Sequence, residues 1–424
     1  MNYIKRIIDR EIREKLSCTG AIYIRGPKWC GKTTSAKQIA KSVLEMQNPD
    51  LQENYFELAD TKPSLLLEGE KPRLIDEWQL APKLWNAVRY SVDKTSEPAQ
   101  YILTGSATPT EDDTLHSGTG RFAFITMKPM TLFESGDSNG AISIPDLLNG
   151  RTDIDGEKTD LTYEKIAYVL CRGGWPNAIS GKLSEKKALE IPKNYLDVLC
   201  ESDISKVDGV KRNPSLSRAV FKSYARQLST INSNRSMYAD IRANYADVSE
   251  KTITDYINTL KKLFIIEEIE AWNPNIRSKT SIRTAPKKSM TDPSIAAAAL
   301  GCSPKDLMLD IKTFGLLFEN LVNRDLKVYL NSIGGDLKHY RDRFGLECDN
   351  VIHFHDGKYA LVEIKLGGTR IKEAEENLIT LKNLILKNET RLGEPAFLMI
   401  ITGTDMAYTT ERGVLVVPIG CLKD

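Results

Sequence analysis

Eight residues near the N-terminus, Gly26-Pro27-Lys28-Trp29-Cys30-Gly31-Lys32-Thr33, have the spacing of a phosphate-binding loop: a glycine, four free positions, then Gly-Lys-Thr. The chemistry of such a loop is electrostatic. Backbone N–H groups left without partners at the turn and the helix start bind phosphate oxygens, helped by the partial positive charge of the helix N-terminus. Gly26 through Thr34 would line the phosphates, Lys32 would reach the β- and γ-phosphates, and the Thr33 hydroxyl would hold Mg²⁺. The implied ligands are a nucleoside triphosphate and Mg²⁺.

A second group follows about forty residues later. Arg73-Leu74-Ile75-Asp76-Glu77-Trp78-Gln79 is short, apolar at its start, and runs into two adjacent carboxylates. Asp76 is expected to accept Mg²⁺-bound water and Glu77 to polarise the attacking water as general base. The buried-looking run Tyr101-Ile102-Leu103-Thr104-Gly105-Ser106 ends in small polar residues. Thr104 and Ser106 are candidates to touch the γ-phosphate or orient that water. Arg121, after Gly118-Thr119-Gly120 and before the apolar run 122–127, is the candidate for stabilising transition-state charge, in cis or from a neighbouring subunit.

A third group lies in the last third. Leu316-Leu317-Phe318-Glu319-Asn320-Leu321-Val322 places a glutamate among apolar helical neighbours, and Glu347-Cys348-Asp349 and Val362-Glu363-Ile364-Lys365 lie on two successive predicted strands. Strand period two puts Glu363 and Lys365 on one face. An Asp, a hairpin, then Glu-x-Lys resembles the core of the restriction-endonuclease-like phosphodiesterases. The resemblance implies Glu319, Asp349 and Glu363 as Mg²⁺ ligands and Lys365 as the group that stabilises charge or activates water.

The elements that must position these groups follow from periodicity. Ile4, Ile7, Ile8, Ile12 and Leu16 have helical spacing, so residues 1–16 should form a helix ahead of a strand at Ala21-Ile22-Tyr23-Ile24. Thr34–Leu44 reads as the helix after the loop and Tyr55–Leu58 as a second strand. The stretch Asp137–Asp160, rich in Gly, Ser, Asp and Asn, reads as an exposed excursion or linker. Helical periodicity returns from Leu161 to Leu199, interrupted by Gly173-Gly174-Trp175-Pro176. Residues 238–264 then give two helices around a Val248-Ser249 turn, with Lys251, Thr254, Asn258 and Lys262 on the open face and Glu250 and Asp255 beside them. Phe264–Glu270 reads as a hairpin strand. The stretch from Ala271 to Thr291 holds Arg277, Lys279, Arg283, Lys287 and Lys288 with no acidic residue, and reads as a flexible basic connector with Trp272 as a stacking face.

Bulk properties bound the rest. The 424 residues suggest roughly three domains. A formal net charge of +1 excludes a global field that would drive the chain onto nucleic acid or an anionic membrane. Seven scattered cysteines form no Cys-x-x-Cys pair, which argues against a disulfide framework and a zinc knuckle. No run approaches eighteen apolar residues and the N-terminus has no signal-peptide core, so a cytoplasmic location without membrane insertion is expected.

The order phosphate loop, Leu-Ile-Asp-Glu-Trp-Gln, Leu-Thr-Gly-Ser, Gly-Arg, then Lys128-Pro129-Met130-Thr131-Leu132-Phe133-Glu134 and the later Gly-Gly-Trp-Pro resembles the AAA-type prokaryotic ATP-binding proteins. These have a C-terminal domain of unknown function related to restriction-endonuclease folds. Trp29-Cys30 departs from the small or polar pair more usual in the loop. The resemblance implies an α/β fold: a P-loop AAA-type ATPase core over 1–136, a linker and helical lid over 137–213, a winged helix and basic connector over 214–290, and a restriction-endonuclease-like α/β domain over 291–424. Three functions stand open at this point: an Mg²⁺-dependent ATPase acting as a switch or loader on a macromolecule, an ATP-gated DNA nuclease, or a nucleotide-dependent interaction protein with negligible turnover. Beyond ATP, the partners open are DNA, a second copy of the chain, or another protein.

Overall fold

A computed structural model describes residues 3–106, 118–231, 234–275, 284–388 and 392–424. The chain forms two compact units, Met1–Pro129 with Lys262–Phe264, and Met130–Lys261 with Ile265–Asp424. Apart from Lys262–Phe264, the three regions expected beyond residue 136 fall within the second unit.

The first unit is built on five parallel strands, β1 (Ala21–Arg25), β2 (Ser42–Glu45), β3 (Arg73–Asp76), β4 (Tyr101–Gly105) and β5 (Phe122–Thr126), in the order β2-β3-β4-β1-β5. Their near-continuous apolar character follows from burial on both faces. Ala21, Tyr23, Ile75, Tyr101 and Leu103 face one core with Trp78, Trp85 and Val88. Ile22, Ile24, Leu74 and Ile102 face the other with Ile8, Ile12 and Leu16 of the helix Ile8–Cys18. Each such buried aliphatic side chain contributes about 1.5–3 kcal/mol.

Two local expectations are corrected here. The helix after the phosphate loop is short, Lys32–Lys37, and Ser42–Glu45 is already a strand, paired with Arg73–Asp76. Tyr55–Leu58 lies inside the helix Gln52–Thr61. The β-favouring Tyr-Phe pair gives way because the Tyr55 and Leu58 side chains pack on the Trp78–Trp85 core from a helical surface.

The second unit has a six-stranded mixed sheet, β9 (Gly335–Arg341), β10 (Glu347–Phe354), β11 (Tyr359–Lys365), β12 (Leu398–Thr402), β13 (Tyr408–Thr409) and β14 (Leu415–Pro418), ordered β13-β14-β12-β11-β10-β9. β9, β10 and β11 are antiparallel neighbours, and the helix Ile371–Asn388 crosses over to bring β12 parallel to β11. Its core joins Val351, Leu361, Leu378, Leu381 and Ile400. Trp272 belongs to this core, only 7% exposed and stacked 5.5 Å from Tyr359, so it offers no free stacking face.

Upstream, the helices Pro214–Arg226, Asn234–Arg242 and Glu250–Lys262 precede an antiparallel pair, β7 (Ile266–Ile269) and β8 (Lys287–Met290). Lys251, Asn258 and Lys262 are exposed on the third helix, as are Glu250 and Asp255. The basic connector is corrected in part: Lys287 and Lys288 are buried in β8, while Arg277, Lys279 and Arg283 lie outside the described residues. The stretch 137–160 is also not a loose linker. Within it β6 (Ile142–Ser143) pairs with β15 (Leu422–Lys423), Ser138 Oγ donates to the Leu422 carbonyl at 2.7 Å, and Ile144, Leu147 and Ile154 are buried.

A charged triad sits in the middle of this unit. Arg324, in the helix Ile311–Asn331, pairs with Asp292 at 2.9 Å and Asp325 at 2.7 Å, and all three are at most 3% exposed. Removing one member of a buried ion cluster leaves uncompensated charge, at a cost of about 3–5 kcal/mol. Arg324→Met should therefore lower the unfolding free energy measured by denaturant titration by that amount or abolish the folded unit. Arg151→Met, in an exposed pair with Asp146, should shift stability by less than about 1 kcal/mol in the same measurement.

Candidate functional site

The phosphate loop leaves β1 at the carboxyl edge of the first sheet, where ligands of open α/β sheets bind. β4 stands between β1 and β3, with Thr104 level with Asp76 in the register. Gly26 has φ +150° and a Cβ there would stand 2.2 Å from the Met127 carbonyl oxygen, so the loop backbone closes as only glycine allows. The N–H groups of Cys30 through Thr34 meet no backbone carbonyl among the described residues. Lys32 Nζ lies over the loop, donating to the carbonyls of Gly26 at 3.1 Å and Pro27 at 2.9 Å. From outside, Arg6 donates to the Cys30 carbonyl at 2.9 Å and to the Lys128 carbonyl at 2.9 Å, bracing the loop.

The carboxylate strand meets the loop at one atom. Asp76 Oδ1 accepts from Thr33 Oγ1 at 2.7 Å and from Thr104 Oγ1 at 2.5 Å. Glu77 has a left-handed backbone, φ +55°, its N–H donates to Thr104 Oγ1 at 3.4 Å, and its carboxylate accepts a short hydrogen bond from Gln79 Nε2. Ser106 is buried at the end of β4. Thus Lys32, Thr33, Asp76, Glu77 and Thr104 converge, and Gln79 joins them.

Arg121 does not. β5 runs parallel to β1 with Phe122 level with Ala21 and Thr126 level with Arg25, so Arg121 lies at the amino edge, about 16 Å of strand away from the loop. Its guanidinium pairs with Asp93 at 2.7 Å and donates to the Thr119 carbonyl. The cis role expected for it is set aside. Cys30 is also turned away from the phosphates: it is fully buried, with Sγ 3.7 Å from the Met127 carbonyl oxygen, in the core that includes Ile24 and Ala36.

In the second unit Glu319, Asp349, Glu363 and Lys365 also converge. A register shift in β10 between Cys348 and Val351 takes Asp349 out of the ladder, and its Oδ2 accepts from the Ile364 N–H at 2.9 Å. Lys365 Nζ pairs with Glu363 at 2.6 Å and with Asp349 at 3.3 Å. A cavity of about 850 Å³ opens on Glu319, Asp349 and Lys365, with Lys312 and Arg370 on its wall. A residue that sequence reasoning placed in solvent completes the group. Lys287 Nζ lies 2.8 Å from Glu319 Oε1, 3.0 Å from the Asp349 carbonyl oxygen and 3.5 Å from Asp349 Oδ1.

The electrostatics follow. Burial alone would raise all three carboxyls and lower both ammoniums. Lys287 and Lys365 outweigh burial at Asp349 and hold it below the usual carboxylate range. Glu319 and Glu363 stay above theirs because burial, with Asp349 beside them, exceeds what the lysines return. The lysines are held charged by those same carboxylates. Among the described residues no group of three or more His, Cys, Asp or Glu side chains is arranged to hold a metal ion. Two ammoniums sit against the oxygens of Glu319, Asp349 and Glu363, the residues expected to ligate Mg²⁺.

Residues 18–135 match the AAA domain family, and residues 314–422 and 163–306 match two domains of unknown function, DUF4143 and DUF8612. The chain fits the AAA-type ATP-binding proteins with a C-terminal domain of unknown function. Uncharacterized proteins of Mycobacterium tuberculosis and Mycobacterium bovis are each 23% identical over 371 residues, 86% of this chain and 74% of theirs. A Walker-type ATPase of Pyrococcus abyssi is 15% identical, covers 69% of this chain and 94% of its own, and superposes with a TM-score of 0.40. The AAA match supports ATP binding by the first unit. No helix among the described residues is long and apolar enough to cross a membrane.

In these terms, Gln79 and Arg6 of the AAA-containing unit were missed because neither has a motif of its own. Gln79 stands within Asp-Glu-Trp-Gln, and its two-residue spacing from Glu77 is the only signal it leaves. Lys287 lies outside the DUF4143 match that holds its partners, so nothing in its own surroundings points to them.

Three measurements check this geometry. Alkylation of the folded protein followed by mass spectrometry should mark exposed Cys18 and leave Cys30 unmodified with or without ATP. Rapid Cys30 labelling that ATP suppresses would show the thiol facing the phosphates. Arg121→Ala should cost less than about 1 kcal/mol, as an exposed pair does, and leave turnover of a dilute single subunit unchanged. His339, buried beside Lys287, is pushed by that burial and then by the ammonium from 6.5 down to about 4. A depressed value means its contribution is present above pH 6.5 and is lost as pH falls through 4, about 3 kcal/mol in all. Denaturation of His339→Leu at pH 7 and pH 4.5 should show that part of the acid loss removed.

Proposed function

We propose that the chain is an Mg²⁺-dependent ATPase that works as a nucleotide-driven switch or loader on a macromolecular partner. The observation that supports this most is the shared oxygen of Asp76, which receives the hydroxyls of Thr33 from the phosphate loop and Thr104 from the neighbouring strand. A carboxylate held between a loop hydroxyl and a strand-end hydroxyl suits a cation that bridges to phosphate. Thr33 and Asp76 are the residues that would hold Mg²⁺, whose charge offsets that of the phosphates when bound. Lys32 moves from the loop carbonyls to phosphate oxygens and binds them by charge-assisted hydrogen bonds. Glu77 accepts a proton from water, and Gln79 orients its carboxylate through Oε2. Thr104 holds Asp76 and the Glu77 backbone in one geometry. Ser106 stands at the same strand end, within the reading as a γ-phosphate contact.

We read the three helices before β7 and β8 as a winged helix and the six-stranded sheet as nuclease-like. Lys251, Asn258 and Lys262 share their open surface with Glu250 and Asp255, a mixture that suits a protein partner better than a phosphate backbone.

Lys32→Ala should weaken ATP binding by roughly 10- to 150-fold, the loss of a charged hydrogen bond of about 1.5–3 kcal/mol. Glu77→Gln should keep binding and slow hydrolysis. Equilibrium binding of a fluorescent ATP analogue and steady-state phosphate release separate the two. Normal binding and parental turnover in both variants would remove the nucleotide reading, and a rise in turnover on adding DNA would favour DNA over a protein as partner.

A further inference from the structure

The nuclease-like sheet presents the carboxylates of a divalent-cation centre, yet the place such a cation would take is filled from within the chain. We propose that Lys287 is the resident cation of the Glu319–Asp349–Glu363 cluster, so that the DUF4143 domain of this protein is a metal-free ion-pair centre and not a divalent-metal phosphodiesterase site.

Position is the first argument. Lys287 Nζ contacts oxygens of both Glu319 and Asp349, at 2.8, 3.0 and 3.5 Å. A Mg²⁺ or Mn²⁺ ion needs several oxygens at about 2.0–2.2 Å, and a site that bonds an ammonium across the same oxygens has no room for both. Lys365 takes the remaining side, bonding Asp349 Oδ2 and Glu363 Oε2.

The second argument is that the lysine is built in, where a surface lysine would only have folded over. β8 is fixed on one side by Asn320, whose side chain accepts from the Met290 N–H at 2.8 Å and donates to the Met290 carbonyl at 2.9 Å. On the other side Lys288 N–H donates to the Thr230 carbonyl and its own carbonyl accepts from Ser229. Asn320 is one residue after Glu319 on the same helix, so the element that carries the acceptor also sets the register of the strand that carries the donor. Lys287 is 5% exposed and is not part of the cavity wall on which Glu319, Asp349 and Lys365 open.

Charge is the third. Three carboxyls face two ammoniums, and any ligand in the cavity meets that nearly balanced set. A dication entering it would stand a few ångströms from two fixed positive charges in a place poorly screened by water.

The test uses the full-length, nucleotide-free chain and Mn²⁺ alone, titrated by electron paramagnetic resonance. Wild type and Asp349→Asn should bind the same amount of Mn²⁺. Lys287→Met should gain a Mn²⁺ site that Lys287→Met/Asp349→Asn lacks. Asp349-dependent Mn²⁺ binding in wild type, or Mn²⁺- or Mg²⁺-dependent plasmid cleavage by wild type that Asp349→Asn abolishes, would overturn the proposal, as would a folded Lys287→Met that gains no site. Should Lys287→Met fail to fold, Lys287→Gln replaces it, and the wild-type comparison decides alone if that also fails. The inference does not depend on the nucleotide reading.

Discussion

A single guanidinium organises the larger unit. Arg324 is too deeply buried to be solvated, so every donor it carries and every oxygen it faces must be satisfied by protein. Asp325 Oδ1 takes its Nε and one terminal nitrogen, and Asp292 Oδ2 takes the other. The remaining lone pairs recruit further donors: Asp325 Oδ2 accepts from Leu132 N–H, Asp292 Oδ2 from Gly174 N–H as well, and Asp292 Oδ1 from Ser294 N–H and Oγ. Trp175 Nε1 donates in turn to Ser294 Oγ. Segments from four distant parts of the chain are thereby placed by two carboxylates. Gly174 has to be glycine for this, since a Cβ would stand 2.1 Å from the Met130 carbonyl oxygen. The family segments Pro-Met-Thr-Leu-Phe-Glu and Gly-Gly-Trp-Pro therefore have a structural reason. One also closes a capping box, with Thr131 and Glu134 exchanging hydrogen bonds.

The two buried charge clusters of this unit solve the same problem differently. Around Arg324 two carboxylates face one guanidinium, backbone N–H groups take further lone pairs, and burial still pushes Asp325 up to about 6. Around Lys287 three carboxyls meet two cations, and burial, with Asp349 beside them, holds Glu319 and Glu363 above their usual range. An ammonium has three donors, and here they go to Glu319 and to both the carbonyl and side chain of Asp349. His339, its ring kept uncharged by burial and by the ammonium, sits beside the same lysine.

Legibility tracked the range of the interaction. The phosphate loop, Asp76-Glu77 and Thr104 were readable because strand, turn and helix signals lie within a few residues of the groups they place. Arg121 was misplaced although its neighbours were read correctly. A residue just ahead of a parallel strand lies at the amino edge, away from a loop that leaves β1 at the carboxyl edge, and strand direction is a property of the sheet. Ser42–Glu45 was hidden for a related reason: four residues with no alternation become a strand only through pairing with Arg73–Asp76. Lys287 was the hardest. Flanked by Pro286 and other basic residues, it has the composition of a solvated connector, and only the fold brings Glu319 and Asp349 to it.

Two strained residues stand at the carboxyl edge of the first sheet. Trp29 and Glu77 both have positive φ, 64° and 55°, in a region that side chains of their size seldom enter. Each costs of order 1–3 kcal/mol, and each is held by what surrounds it. Glu77 is pinned by Thr104 at its N–H and by Gln79 at its carboxylate. Trp29 is held by its successor: Cys30 is small enough to be buried wholly against Ile24 and Ala36, and Arg6 fastens its carbonyl from outside. That division explains the unusual Trp-Cys pair of this loop. One residue takes the strained turn with its ring left 67% exposed, and the next anchors the loop from behind, so the loop N–H groups are aimed by packing on the side away from them.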